Sequence, residues 1–276
     1  MSIVTGHEFM KLADLCVVSE DIDNKIKHGI RRFARVGHKR LSLPEDLRSV
    51  KIICVTPENI RRLSQLLRRD YLVDLIIVTH NSDMSIDARF LPYLNHPKVK
   101  KWFGQNVQIR HPKLHAIPIG MANPQYTHGN KQLLHAVAKS NWDKSNLVFV
   151  NFSIGTNPHK REPILELFKN KYPTHQGQNQ TEYWESMAKS KFCISPPGNG
   201  VDCHRIWECI YLKTIPIVEK NIAFDQFTDL PILFIEDWHV VNDNFLNDVY
   251  LAFSKKEWNY EKAYMEYWRR EITGGK

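Results

Sequence analysis

Apolar residues along this chain gather in short, nearly continuous runs rather than in strict alternation. The runs are KIICVT (51–56), LVDLIIVTH (72–80), LHAIPIG (114–120), LVFVNFS (147–153), KFCISPP (191–197), TIPIVE (214–219) and ILFIED (232–237). Rich in Ile and Val, they read as strands buried on both faces, the pattern of parallel sheets. Segments of helical character lie between them, near 130–140, 160–170, 181–190 and 203–212. Another opens at Thr56-Pro57, with Thr56 as N-cap and Pro57 at the first helical position. Strand and helix in alternation predict an α/β chain with helices on both faces of its sheets.

The 276 residues fit one large domain or two compact ones. Charge favours two. Residues 1–140 hold 22 Lys and Arg against 12 Asp and Glu, and residues 141–276 hold 16 against 18. That shift, with the polar stretch 121–146, sets the expected boundary at 140/141, with a second domain over 141–254. A C-terminal helix at about 255–276, marked by Trp258, Tyr264 and Trp268, has the option of packing back onto the first domain. Helical spacing makes its aromatics packing residues rather than a stacking surface.

The basic clusters at Arg31, Arg32, Arg35, Lys39 and Arg40, at Arg61, Arg62, Arg68 and Arg69, and at Lys98, Lys100 and Lys101 suit solvated faces. No zinc finger, RNP motif or helix-turn-helix accompanies them, so nucleic-acid binding is the lesser reading. Five scattered cysteines without a C-x-x-C pair argue against a disulfide framework or zinc ribbon. They favour a reducing compartment. With no signal-peptide layout and no run of ~20 apolar residues, a soluble, cytoplasmic chain is expected, and the sequons at Asn151 and Asn179 are read as accidental.

The chemistry concentrates in SPPGNGVDCHRIWECIYLKTIPIVE (195–219), which reads as strand, turn, helix, strand. Ligands of open parallel sheets bind at the carboxyl ends of strands, where such turns sit. Gly198 and Gly200, flanking Asn199, allow close backbone approach, and the following helix N-terminus favours an anion. Asp202 is placed to cap that helix, with His204 next to it. Arg205, in the first turn, suits a phosphate, and Glu208 on the same face suits vicinal sugar hydroxyls. A diphosphate plus a ribose would satisfy both. The bland alternative is a Gly-rich turn with a surface Arg–Glu pair.

These residues resemble a known family. SKFCISPPGNGVDCHRIWECIYLKTIPIV looks like the C-terminal signature of the exostosin-like glycosyltransferases, and VTHNSD (78–83), WFGQNVQIRHPKLHAIPIGMAN (102–123) and VNFSIGTNPHKR (150–161) resemble blocks of its ribitol xylosyltransferase branch. The resemblance spans roughly residues 72–235 and implies a GT-B architecture, two Rossmann-like domains facing across a cleft. It implies inverting transfer of a sugar, xylose first, from a UDP-sugar to a hydroxyl of a glycan acceptor. Animal members are anchored in the Golgi, and without an anchor this chain looks more like the small soluble enzymes of large algal viruses, which places it in a host cytoplasm. Carried over, Arg205 binds the diphosphate, Glu208 the ribose, and Ser153, Asn157 and Arg161 line the first strand end of the second half, Arg161 as a second phosphate contact.

The first half would then hold the acceptor and the base that inversion requires. Asp83 is favoured and His80 is the alternative; the bland reading is a turn in which Asn81 and Asp83 bond their own backbone. No essential cofactor or metal is expected beyond the donor. Asp21-Ile22-Asp23 has an Asp-x-Asp spelling but precedes any convincing strand; His111 and His115 flank Pro112 and share no helical face; His204 and Glu208 lack a third ligand. Competing readings are a catalytically silent nucleotide- or glycan-binding protein of the same fold and a basic nucleic-acid-binding α/β protein.

Overall fold

The computed structural model describes residues 1–19, 29–36, 41–44, 46–174 and 179–275. Asp21-Ile22-Asp23, Lys39 and Arg40 lie outside these. The described strands are β1 (Leu15–Ser19), β2 (Phe33–Val36), β3 (Leu41–Ser42), β4 (Ile52–Val55), β5 (Leu75–Thr79), β6 (Val99–Gly104), β7 (Leu114–Ala116), β8 (Asn146–Phe149), β9 (Ser190–Ile194), β10 (Ile215–Glu219) and β11 (Leu233–Ile235). The described α-helices are α1 (Gly6–Leu12), α2 (Ile60–Leu67), α3 (Leu91–Leu94), α4 (Lys131–Lys139), α5 (Pro158–Phe168), α6 (Gln180–Ala188), α7 (His204–Tyr211), α8 (Asp243–Ser254) and α9 (Met265–Thr273). No described helix is long and apolar enough to cross a membrane.

The chain divides into two units: Met1–Gly129 with Tyr264–Lys276, and Asn130–Ala263. The boundary falls before the charge shift because α4 packs on α6 and so belongs with the second unit.

In the first unit the sheet order is β3-β2-β1-β4-β5-β6-β7. All neighbours are parallel except β3, which pairs antiparallel with β2. The order reverses between β1 and β4, as in doubly wound folds. One face is filled by Leu15, Val17, Ile53, Val55, Ile77 and Trp102 among others. On α1, Phe9 stacks against His80 (5.1 Å between centroids) and Trp268 of α9 (6.3 Å). The aromatic tail is therefore packing, but not one helix: Trp258 precedes α9 and lies on Phe253, 4.7 Å away.

In the second unit the order is β11-β10-β9-β8, all parallel. An isolated parallel bridge joins Val150, just past β8, to Thr174. Since β9 already occupies one side of β8 through Phe149↔Cys193, Thr174 adds on the other. The chain thus goes outward from β8, then returns to β9, which makes β8/β9 the point where strand order reverses and ligands find a crevice.

The runs at 51–56, 72–80, 114–120, 147–153, 191–197, 214–219 and 232–237 each contain a strand, though β5 starts only at Leu75 and β7 ends at Ala116. The sequence reading lacked β1, β2, β3 and β6. β6 is interrupted by Lys100 and Lys101, and a register shift opposite Leu75/Ile76 accommodates them.

Candidate functional site

At the reversal point, β8 and β9 end in loops that meet the start of α7. Ser195 N–H makes the last ladder bond of β9, to the Ile217 carbonyl (3.0 Å). Pro196 and Pro197 follow, without N–H groups. The turn then closes through Gly198 N–H on the Gly200 carbonyl (3.0 Å), and Asn157 Nδ2 donates to the Gly198 carbonyl (2.9 Å). Gly198 is closely packed: a Cβ would lie 3.0 Å from Arg161 Nη2 and 3.5 Å from Cys203 Sγ. Beside the turn is a pocket of about 210 Å³, walled by Pro197, Val201, Val218 and Phe224 and edged by Lys160, Glu219 and Asn221. Glu219 there is held by Lys160 (2.9 Å) and by the Trp238 indole (2.9 Å).

Arg161 and Arg205 approach the turn from α5 and α7. Arg161 is 5% exposed. Its Nε donates to the Pro197 carbonyl (2.9 Å), Nη1 to the Ser153 carbonyl (2.7 Å) and Thr156 Oγ1 (2.5 Å), and Nη2 to the Pro196 carbonyl (3.3 Å) and, weakly, to Cys203 Sγ (3.7 Å). A guanidinium has five N–H donors, and all five are engaged. Burial and the neighbouring Arg205 hold its pKa below the usual arginine value.

Arg205 differs. Its Nε and Nη1 are buried and have no hydrogen-bond partner among the described residues. Glu208, one turn on, is 4% exposed. Burial pushes its carboxyl up to about 7, against the pull of Arg205 and of polar hydrogens from Trp184 and Tyr183. The Trp184 indole N–H lies close to this carboxylate without reaching hydrogen-bond geometry, and is itself unpartnered. Two guanidinium cations therefore stand beside a carboxyl whose ionisation is disfavoured by burial. Buried donors without acceptors cost a few kcal/mol each unless something fills them. An anion with several oxygens does so.

The structure brings Ser153, Asn157, Arg161, Gly198, Gly200, Arg205 and Glu208 together at this edge, with Asn199 exposed on the turn and His204 opening α7. Two expectations change. Asp202 does not cap α7: the N-cap is Cys203, which makes no side-chain cap bond, and the Asp202 carboxylate instead accepts from the Trp207 indole (2.8 Å). Arg205 and Glu208 are no surface pair, and neither lines the 210 Å³ pocket. The sequence reading missed Phe152, Tyr183 and Trp184. Their aromatic type reads as core, and their place at the site is set by helix and strand ends distant in sequence.

In the first unit, His80 and Asp83 follow β5. His80 is 2% exposed; Nδ1 accepts from Asn81 N–H (2.7 Å), so Nε2 carries the hydrogen and donates to the Pro118 carbonyl (2.9 Å). Both ring nitrogens are engaged. Asn81 has the left-handed φ of 60° and its Oδ1 accepts from Asn123 Nδ2 (2.7 Å), while Asn123 Oδ1 accepts from His7 N–H (2.8 Å). Asp83 is exposed on the turn. Ser82 Oγ accepts from Met84 N–H (3.0 Å) and donates to Glu58. Nearby, both ends of the Gln105 amide are buried and have no hydrogen-bond partner among the described residues. His111 accepts from Lys113 N–H (3.2 Å), and His115 stacks on Phe103 (5.3 Å). No three His, Cys, Asp or Glu among the described residues are placed to hold a metal ion.

No protein-family model matches this chain, and comparison with curated proteins finds no match.

Proposed function

We propose that this chain is an inverting glycosyltransferase that takes its sugar, xylose first, from a UDP-sugar. The observation that carries the reading is Arg205: two buried guanidinium donors without acceptors among the described residues, at the crevice of a parallel sheet. Such donors, aimed where charge develops on a leaving diphosphate, stabilise the transition state without reorganising. The apolar walls of the adjacent pocket, Phe224 above all, suit the base of the nucleotide. A ribose reaching Glu208 would share that carboxylate with Tyr183.

In the reaction, Asp83 takes the proton of the acceptor hydroxyl as its oxygen attacks the anomeric carbon. The bond to the diphosphate breaks on the opposite face, inverting the configuration, and UDP leaves with its new charge beside Arg205. Asp83 is preferred to His80 because it is exposed, whereas the His80 ring bridges Asn81 and Pro118.

A hydrolysis screen over UDP- and GDP-sugars tests the reading. UDP release from a UDP-sugar, strongest with UDP-xylose, is expected. Absence of turnover with every donor, together with absence of UDP binding by calorimetry, would sink it.

A further inference from the structure

We infer that Arg161 is the positioning residue of this site: it clasps the loops 153–156 and 196–198 so that the Gly198 turn stands ready for a ligand, and leaves the ligand's phosphate to Arg205. The ligand's identity rests on the nucleotide reading above; the clasp itself does not.

Between the last ladder bond of β9, at Ser195, and the closure of the turn, at Gly198, the backbone has no N–H to offer, because both intervening residues are proline. Their two carbonyls still need donors. Arg161 supplies both, and with the same planar group reaches Ser153 and Thr156 in the loop after β8. One side chain thus joins the ends of the two strands between which the sheet reverses. A guanidinium alone can do this: its five donors point in fixed directions from one plane, whereas an ammonium offers three from a single point. Arg161 Nη2 packs tightly against Gly198, 3.0 Å from where a Cβ would stand. A phosphate on Arg161 would have to strip donors from these carbonyls and open the turn that receives it. Arg205 needs no such exchange.

The test compares wild type with Arg161→Lys, which keeps the charge and loses the fork. In ligand-free protein, amide hydrogen exchange over 198–201 should be roughly tenfold faster in the variant, the equivalent of about one net hydrogen bond. Affinity for UDP and for uridine, read by ligand-observed NMR, should fall by the same factor. Unchanged exchange, or a loss confined to UDP with uridine unaffected, overturns the inference. If Arg161→Lys does not fold, Thr156→Val decides: it removes one acceptor and no charge, and must still speed exchange over 198–201. Wild type that fails to bind UDP overturns the nucleotide reading alone, and exchange then judges the clasp.

Discussion

The guanidinium groups of Arg161 and Arg205 face the same ring, their central carbons 5.8 and 5.7 Å from the centroid of Phe152. An aromatic ring attracts a guanidinium electrostatically. One is bound in full to carbonyl oxygens, a hydroxyl and a thiol, and the other keeps donors in reserve. In the proposed reading the pair separates support from reception.

Reception is tested by Arg205→Ala. It should weaken UDP binding by roughly 1.5–3 kcal/mol, the range for charge-assisted hydrogen bonds. Calorimetry showing unchanged affinity would remove Arg205 from the site. Glu208→Gln should cost less, since the amide keeps one acceptor.

The Glu208 carboxyl gives a signature in stability. Burial raises it from 4.5 to about 7 in the folded chain. Between those values the folded state binds more protons than the unfolded one, so its contribution to stability falls as pH rises and is flat above about 7. The full swing is on the order of 3 kcal/mol. Glu208→Gln removes this slope. Urea unfolding of both proteins should therefore show the variant gaining on wild type from pH 5 to pH 7.5. Parallel pH profiles would mean that the carboxyl is not perturbed.

Asp83→Asn should lower kcat by ~10²–10⁴-fold, the usual loss for a general base. UDP affinity should stay within error, because Arg205 and the 210 Å³ pocket belong to the other unit. Turnover near wild type would exclude Asp83 and make His80→Ala the next variant.

Turnover should survive excess EDTA, since Arg205 and the start of α7 suffice for the leaving diphosphate in this reading. Loss of activity on chelation, restored by Mn²⁺ or Mg²⁺, would show a metal brought in with the substrate.

A Cβ on Gly6 would lie 1.8 Å from Asn81 Oδ1 and 2.7 Å from His80 Nδ1. Gly6→Ala should destabilise by about 1–3 kcal/mol, as overpacking does. Asn81→Gly tolerates the φ of 60° and removes the nearer clash, so the double variant should recover part of the loss in thermal unfolding. Equal destabilisation in single and double variants would contradict the contact.

Much of the parallel architecture was legible because continuous Ile and Val runs such as LIIVT and IPIVE carry it directly. The Gly198 turn and α7 were legible too, since glycine, proline and helical spacing are local signals. Other features were not. β6 hides behind two lysines, and Arg35 breaks the apolar run of β2. The role of Arg161 depends on carbonyl oxygens, which every residue has, so no side-chain pattern announces it. Phe152 and Tyr183 read as core until their neighbours are known. Asp202 looked like a cap from position alone, and tertiary packing gave it to Trp207.

The bridge between Ile3 and Tyr264, the bond from Met265 N–H to the Ser2 carbonyl (2.9 Å) and the Phe9–Trp268 contact make the first unit discontinuous in sequence. Translation therefore completes the units in inverted order. Asn130–Ala263 is complete before the helix that closes its predecessor has left the ribosome. Until Trp268 emerges, Phe9 and α1 wait with an apolar face uncovered, and the unit synthesised first is the one finished last.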